Sequence, residues 1–371
     1  MVAETAALPG PFTALRLRMS WSGAAARAFV IGALGALVVW AAFVANSAHW
    51  VAVAAIYAII GLSMNVLVGY TGQLSLGQQG FVGLGALVAA NVAHTGLSAA
   101  DPWRFAFCFA AAAIVTALAA LLLGLAALRI QGLYLALLTL IFGSTIADTL
   151  FVESSLNGQG AGLPANRPTF AVSDTRFALL CVAVLGVCAY LDRRLVASKV
   201  GRSFVALRED ERAAQAFGIN VTGAKLLAFA ISGALAGIAG GLFAFESDQF
   251  SQKDFSSVAG FNLALTFVVM AVVGGLGSRA GVIVASAFFG ILPKLLELLF
   301  NALGGGTYYG DHSGFVLGLV GSLLLLQTLI MNPGGLGQVL RPATRWLGGG
   351  PLRGHHETVL LPGTGTGSMR V

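Results

Sequence analysis

The sequence predicts an all-α, polytopic membrane protein with about ten transmembrane helices and a broken, glycine-rich helix near residues 70–94. Three observations carry that expectation. Charged residues make up 10% of the 371-residue chain and AVILMFWYC 57%, where a soluble domain is roughly 25% charged; mean hydropathy is +0.86. A soluble globule of this size could not hide so much apolar surface, because its surface grows nearly as fast as its volume. Apolar runs near the length of about 20 residues that a membrane-spanning helix requires recur along the chain, and the basic residues sort by face once those runs are laid across a bilayer.

Taken in order, residues 1–27 form an expected cytoplasmic N-terminal segment carrying Arg16, Arg18 and Arg27. Ala28–Ala45 is the first span. Its apolar region exceeds the roughly 7–15 residues of a cleaved signal, and no clear Ala-x-Ala site follows it. Trp50–Val68 is the second. Phe81–His94 is short and glycine-rich at Gly83 and Gly85; it either crosses or forms half of a broken helix. Phe105–Leu128 and Leu133–Val152 follow, then the shorter Phe177–Leu191, closed by Asp192 and Arg193. Leu226–Phe245, Val258–Gly274, Val282–Phe300 and Gly314–Met331 complete a transmembrane domain over residues 28–335. The glycine-rich stretch 336–371 is expected to be a disordered cytoplasmic tail.

If Phe81–His94 crosses, both termini are cytoplasmic. Sixteen basic residues then lie on the inner face and four outside (Arg104, Arg167, Arg176 and Lys253), with Lys294 inside a span. That bias is what the positive-inside rule expects. The net charge of +6 therefore marks a membrane face and offers no argument for nucleic acid.

The spans are poor in chemistry. Cys108, Cys181 and Cys188 lie in apolar runs without metal or disulfide spacing. Of the ionisable residues, Asp148 lies near an outer end, and Lys294 and Glu297 are three apart on one helical face after Pro293. There is no His-Glu-x-x-His, Gly-x-Ser-x-Gly or phosphate-binding Gly-Lys-Ser/Thr loop, so neither an enzyme nor a bound cofactor is expected in this chain. Gly275-Leu-Gly-Ser-Arg-Ala280 fits the dinucleotide spacing Gly-x-Gly-x-x-Ala. Its context, between two apolar spans, makes it a tight inner turn.

Seven basic residues fall in the one long charged segment, Asp192–Lys225. Its middle, Ser203–Phe217, reads as one short amphipathic helix ended by Gly218, suited to docking on a soluble partner or serving as a solvated connector. In the next span Gly233, Gly237 and Gly241 recur every fourth residue, a pattern that lets helices approach closely in lipid.

Five stretches together resemble one family. Gly61-LSMNVLVGYTGQLSLGQQGFVGLGALVAA-Asn91, the loop Gly201–Asn220 with REDERAAQAFGIN, Tyr134–Leu140, Leu156–Leu163 and Val272–Phe288 resemble bacterial branched-chain amino acid ABC transporter permeases of the M type over roughly residues 50–335. The resemblance implies a bacterial inner-membrane complex. Its parts would be this chain, an H-type permease subunit, two cytoplasmic ATPases that bind the ATP, and an external solute-binding protein. Transported solutes would be branched-chain amino acids or a related small polar solute.

It further implies that Arg208, Glu209, Asp210, Glu211, Ala213, Ala214, Phe217, Gly218, Ile219 and Asn220 couple the chain to the ATPase. Tyr70, Thr71, Gln73, Ser75, Gln78 and Gln79 would lie at a helix break and face the pathway, or else satisfy one another in a structural bend. Two departures bear on the solute: Gly77-Gln78-Gln79 replaces a common Gly-His-Ala, and Leu87 stands where an aromatic is frequent. The rival reading is an ion-coupled secondary carrier, whose broken helices would look similar.

Overall fold

The computed structural model describes residues 48–94, 102–130, 132–150, 163–165, 167, 169–247, 249–250, 263–303, 306–331 and 335–338. The expected N-terminal segment, the span at Ala28–Ala45 and the tail beyond 338 lie outside the described residues, as does the LNGQGAGL stretch apart from Leu163.

The fold is helical. Its elements are α1 (Ala48–Met64), a π-helical continuation (Asn65–Tyr70), α2 (Gln78–His94), α3 (Pro102–Ala127), α4 (Leu133–Thr149), α5 (Asp174–Ala197), α6 (Lys199–Glu209), α7 (Glu211–Ala216), α8 (Val221–Glu246), α9 (Leu263–Gly274), α10 (Arg279–Ala302) and α11 (Gly306–Met331). The described extended pairing is two residues long, β1 (Leu163–Pro164) antiparallel to β2 (Gln249–Phe250). Among the described residues five helices are long and apolar enough to cross a membrane: Ala48–Tyr70, Phe105–Ala127, Asp174–Ala197, Val221–Glu246 and Arg279–Ala302. The apolar helices Leu133–Ile146, Leu263–Gly274 and Phe315–Thr328 are shorter. This is a multi-pass membrane protein.

Two helices form the centre. α1 packs against α10, α5 and α8, and α8 packs against α3 and α2. α1 is apolar all round, and Ile56, Ile59 and Ile60 on successive faces are at most 1% exposed. The outer helices are one-sided. On α3, Ile114, Leu118, Leu122 and Leu125 are exposed at helical spacing while Cys108, Ala112 and Ala120 are buried, as expected of a helix with one face to lipid.

Glycine sets how closely α8 is approached. A Cβ at Gly233 would stand 2.5 Å from the Ala120 Cβ, one at Gly237 would overlap Thr116 Oγ1, and one at Gly241 would meet the Phe109 ring at 3.0 Å, all on α3. Gly240 faces the other way, and a Cβ there would overlap the Val82 carbonyl oxygen of α2. Packing of this kind drives association where no water is displaced.

Helix boundaries depart from the apolar runs for local reasons. α5 begins at Asp174 because Ser173 Oγ caps it by accepting from the Arg176 N–H, and it runs past Asp192 to Ala197. The segment between α5 and α8 is therefore Ser198–Asn220, shorter than Asp192–Lys225. The single helix expected over Ser203–Phe217 is instead two, divided at Asp210. Asp210 is extended (φ −157°, ψ 116°), and its carboxylate accepts from the N–H groups of Arg212 (2.8 Å) and Ala213 (3.2 Å). An N-cap aspartate satisfies donors that a continuous helix would not leave free.

At one end of the bundle, charges join elements that start and finish there. His49 of α1 pairs with Glu246 of α8, and Arg167 pairs with Asp174. Arg167 also donates to the carbonyls of Phe245 (3.0 Å) and Glu246 (3.1 Å).

Candidate functional site: the helix break at Tyr70–Gln79

α1 does not end cleanly. It widens into the π-helical turn Asn65–Tyr70, leaves helical geometry over Thr71–Gly77, and the chain turns at Gly72 (φ +71°). α2 starts at Gln78, whose amide donates to Ser63 Oγ and, at 3.0 Å, to Ser232 Oγ. Those bonds put the first turn of α2 level with Ser63, seven residues back from Tyr70 along α1. The chain thus climbs from the end of the π turn to mid-helix depth without regular backbone bonding. Helix formation resumes three residues before the expected Phe81.

The non-helical run is held by specific partners. Thr71 Oγ1 donates to the Leu67 carbonyl (2.6 Å), as does the Gln73 N–H (3.1 Å). The Leu76 N–H donates to Thr139 Oγ1 of α4 (2.9 Å). Gly77 and Gly80 lie against the backbone of Thr139 and Gly143, where a side chain would overlap α4. Ser63 and Ser232 exchange hydrogen bonds with each other's carbonyls at 2.7 and 2.9 Å, forming with Gln78 a buried polar node across α1, α2 and α8. The sequence reading missed this node; the available signal was a lone serine in each of two apolar runs.

Tyr70, Thr71, Gln73, Ser75, Gln78 and Gln79 are all buried. Tyr70 points away from the others, its hydroxyl donating to Asp192 at 3.0 Å. Five buried polar atoms on the remaining residues have no hydrogen-bond partner among the described residues: both amide atoms of Gln73, Ser75 Oγ, Gln78 Oε1 and Gln79 Oε1. A buried polar atom left unpaired costs about 1–3 kcal/mol. The Thr71 hydroxyl and the Gln78 amide nitrogen do find partners in the bend, at Leu67, Ser63 and Ser232. Gln78 and Gln79 lie in the first turn of α2, where the leading N–H groups and the helix dipole favour negative charge.

The end of the π turn meets the charged segment. Asp192, 3% exposed, pairs with Arg279 of α10 and accepts from Tyr70. Arg208 Nη1 donates to the Gly69 carbonyl (2.6 Å), and the Gly277 N–H donates to Asn65 Oδ1 (2.8 Å). The turn Gly275–Ser278 has two left-handed glycines (φ +89° and +86°), and Ser278 caps α10. A cavity of about 170 Å³ lies beside this junction, bordered by Thr71, Gln73, Leu207, Arg208, Glu211 and Lys225. Lys225, 5% exposed, pairs with Glu211 at 2.7 Å and so ties α7 to α8.

On α7, Ala214 is buried, while Ala213 is exposed and Phe217 is 87% exposed. The helix ends with Gly218 at φ +77°, its N–H on the Gln215 carbonyl (2.9 Å) and the Ile219 N–H on that of Ala214 (3.1 Å). Asn220 caps α8 by accepting from the Gly223 N–H (2.9 Å). Glu209 is exposed at the end of α6.

Comparison with known proteins bears on this arrangement. Residues 46–326, from the start of α1 into α11, match the family described as branched-chain amino acid transport system / permease component. The chain belongs to that family. The permease is 33% identical over 318 residues (77% of this chain, 69% of the relative) to the high-affinity branched-chain amino acid transport system permease protein LivM of Salmonella typhimurium. It is 31% identical over 346 residues (85% and 75%) to LivM of Escherichia coli K12. A probable branched-chain amino acid transport permease protein LivH of Methanocaldococcus jannaschii is 27% identical over 221 residues, covering 59% of the permease and 62% of that relative. No solved structure matches it.

Proposed function

We propose that the chain is the M-type permease subunit of an ATP-binding-cassette importer in a bacterial inner membrane. It pairs with an H-type permease, and two cytoplasmic ATPases and an external solute-binding protein complete the transporter. It crosses the membrane about ten times with both termini cytoplasmic, and Ser198–Asn220 faces the ATPase. Similarity to LivM and LivH supports the assignment.

The observation that carries the pathway is the cluster of five unpartnered polar atoms on Gln73, Ser75, Gln78 and Gln79 at a helix break. Irregular backbone at membrane depth is tolerated where it is buried in protein or lines a cavity. At 17 residues α2 is about 25 Å long. It therefore falls short of the ~30 Å hydrocarbon thickness. Thr71–Gly77 and α2 together make one broken passage. The start of a half-helix favours a carboxylate, and the free amide oxygens beside it are acceptors suited to an ammonium group. That pairing supports a small zwitterion such as a branched-chain amino acid.

The ion-coupled carrier has less support. The buried carboxylates Asp192 and Glu246 each hold a basic partner, Arg279 and His49, and Glu297 pairs with Lys294 at 2.9 Å. ATP is bound by the partner subunits on this reading. α7 docks in the ATPase through Ala213 and Phe217.

Cysteine at Ser75 or Gln79 tests the pathway. The native cysteines Cys108, Cys181 and Cys188 are buried and are replaced for the assay. In the assembled transporter, Ser75→Cys and Gln79→Cys are expected to react with a small polar thiol reagent and to be protected by solute. Inaccessibility in every nucleotide state would sink the assignment.

A further inference from the structure

Arg208 sits near the end of α6, where the sequence reading grouped it with residues that meet the ATPase. In the folded chain the residue stays exposed, but its guanidinium reaches back to the bundle. Nη1 donates to the Gly69 carbonyl at 2.6 Å, a contact across 139 residues of sequence. The stem crosses Gly72, where a Cβ would stand 3.2 Å from Arg208 Cγ. The head lies beside Gly277, where a Cβ would stand 3.1 Å from Nη1. Both glycines are left-handed and leave the side chain its room.

Three parts of the molecule meet at this guanidinium: α6, the end of the π turn, and the turn that starts α10. The carbonyls that close a helix lack intrahelical partners. A cation there gains both a charge-assisted hydrogen bond and a favourable interaction with the helix dipole. The next links are equally short. Gly69 precedes Gln73 by four residues, and the Gly277 N–H holds Asn65 at the start of the same π turn. A push on α7 reaches α6 through the single extended residue Asp210.

We propose that Arg208 is a transmission strut. It is a positioning residue that carries displacement of α6–α7 to the end of the π turn, and so to the polar atoms of Gln73–Gln79. The proposal rests on the reading that α7 docks on the ATPase. Arginine suits the task because its planar head holds a direction that a lysine's point charge does not. Without the strut, α7 still moves when ATP is bound and hydrolysed, but the helix end no longer follows.

The test is the number of solute molecules imported per ATP hydrolysed, measured in proteoliposomes holding the complete transporter. Arg208→Ala is expected to assemble, to hydrolyse ATP at a rate close to wild type and to import about tenfold less solute per ATP, in line with the loss of one charge-assisted hydrogen bond. Arg208→Lys should recover part of that ratio. If Arg208→Ala fails to assemble, Arg208→Gln, which keeps a donor without the charge, must show the same fall.

Phe217→Ala separates the strut from docking. It should lower stimulated hydrolysis and import together, leaving their ratio unchanged. Should Arg208→Ala or Arg208→Gln also lower both in proportion, or change neither, the strut is overturned while docking stands. Should Phe217→Ala change neither quantity, the docking reading fails whatever Arg208 does.

Discussion

At the scale of single residues, two glycines show how space and conformation divide the burden. Gly186 of α5 has nothing within 4 Å of where a Cβ would stand, whereas a Cβ at Gly240 would overlap the Val82 carbonyl. Gly186→Ala should therefore leave thermal stability in detergent unchanged or slightly raised, since glycine is the poorer helix former by roughly 1 kcal/mol. Gly240→Ala should force α2 and α8 apart and lower the midpoint by several degrees. Equal behaviour of the two variants would refute this packing. Ser232→Ala removes one corner of the node with Ser63 and Gln78, and about 1–3 kcal/mol is expected for the donors and acceptors left unpaired. A denaturation series on the purified permease checks it.

At the scale of elements, the two short helices depend on their caps. Asp210 terminates α6 and starts α7 in one residue. Asp210→Ala should cost about 1 kcal/mol of local stability, loosening α7 while the spans stay intact. The expected readout is faster amide exchange confined to residues 211–218, with reduced stimulation of ATP hydrolysis. Ala213→Glu places charge on the exposed side of α7 and should block docking without unfolding. Ala214→Glu would bury that charge and should reduce the amount of folded protein. An equal yield of both variants would show that α7 is turned the other way.

At the scale of the whole molecule, what the sequence disclosed follows from how far each signal reaches. Apolar runs are local, and Trp50–Val68, Phe105–Leu128 and Leu226–Phe245 lie on α1 with its π turn, α3 and α8. The division at Asp210 was hidden because Leu207–Glu209 and the residues after it are good helix formers on either side. Buried charge was the least legible feature. Lys294 and Glu297 announced themselves by spacing. Asp192 looked like a span end because its partner, Arg279, lies 87 residues away, and Lys225 depends on Glu211 across a change of helix.

Of the predicted pathway residues, all six are buried, but Tyr70 answers to Asp192 and the rest do not. Orientation has a direct check. A cysteine at Val172, exposed beside the start of α5, should react with an impermeant reagent added outside cells, and one at Ala213 should react only from within. Labelling of both from one side would break the topology.

The surrounded position of α1 has a consequence for how the gene tolerates change. A helix that meets protein on every side has no permissive face. Deep substitution scanning of α1 should thus give a nearly flat profile of intolerance, with Ile56, Ile59 and Ile60 as sensitive as their neighbours. On α3, where Ile114, Leu118, Leu122 and Leu125 line an outward stripe, the same scan should rise and fall about every 3.6 residues, with exchanges among Leu, Ile, Val and Phe neutral at the crests.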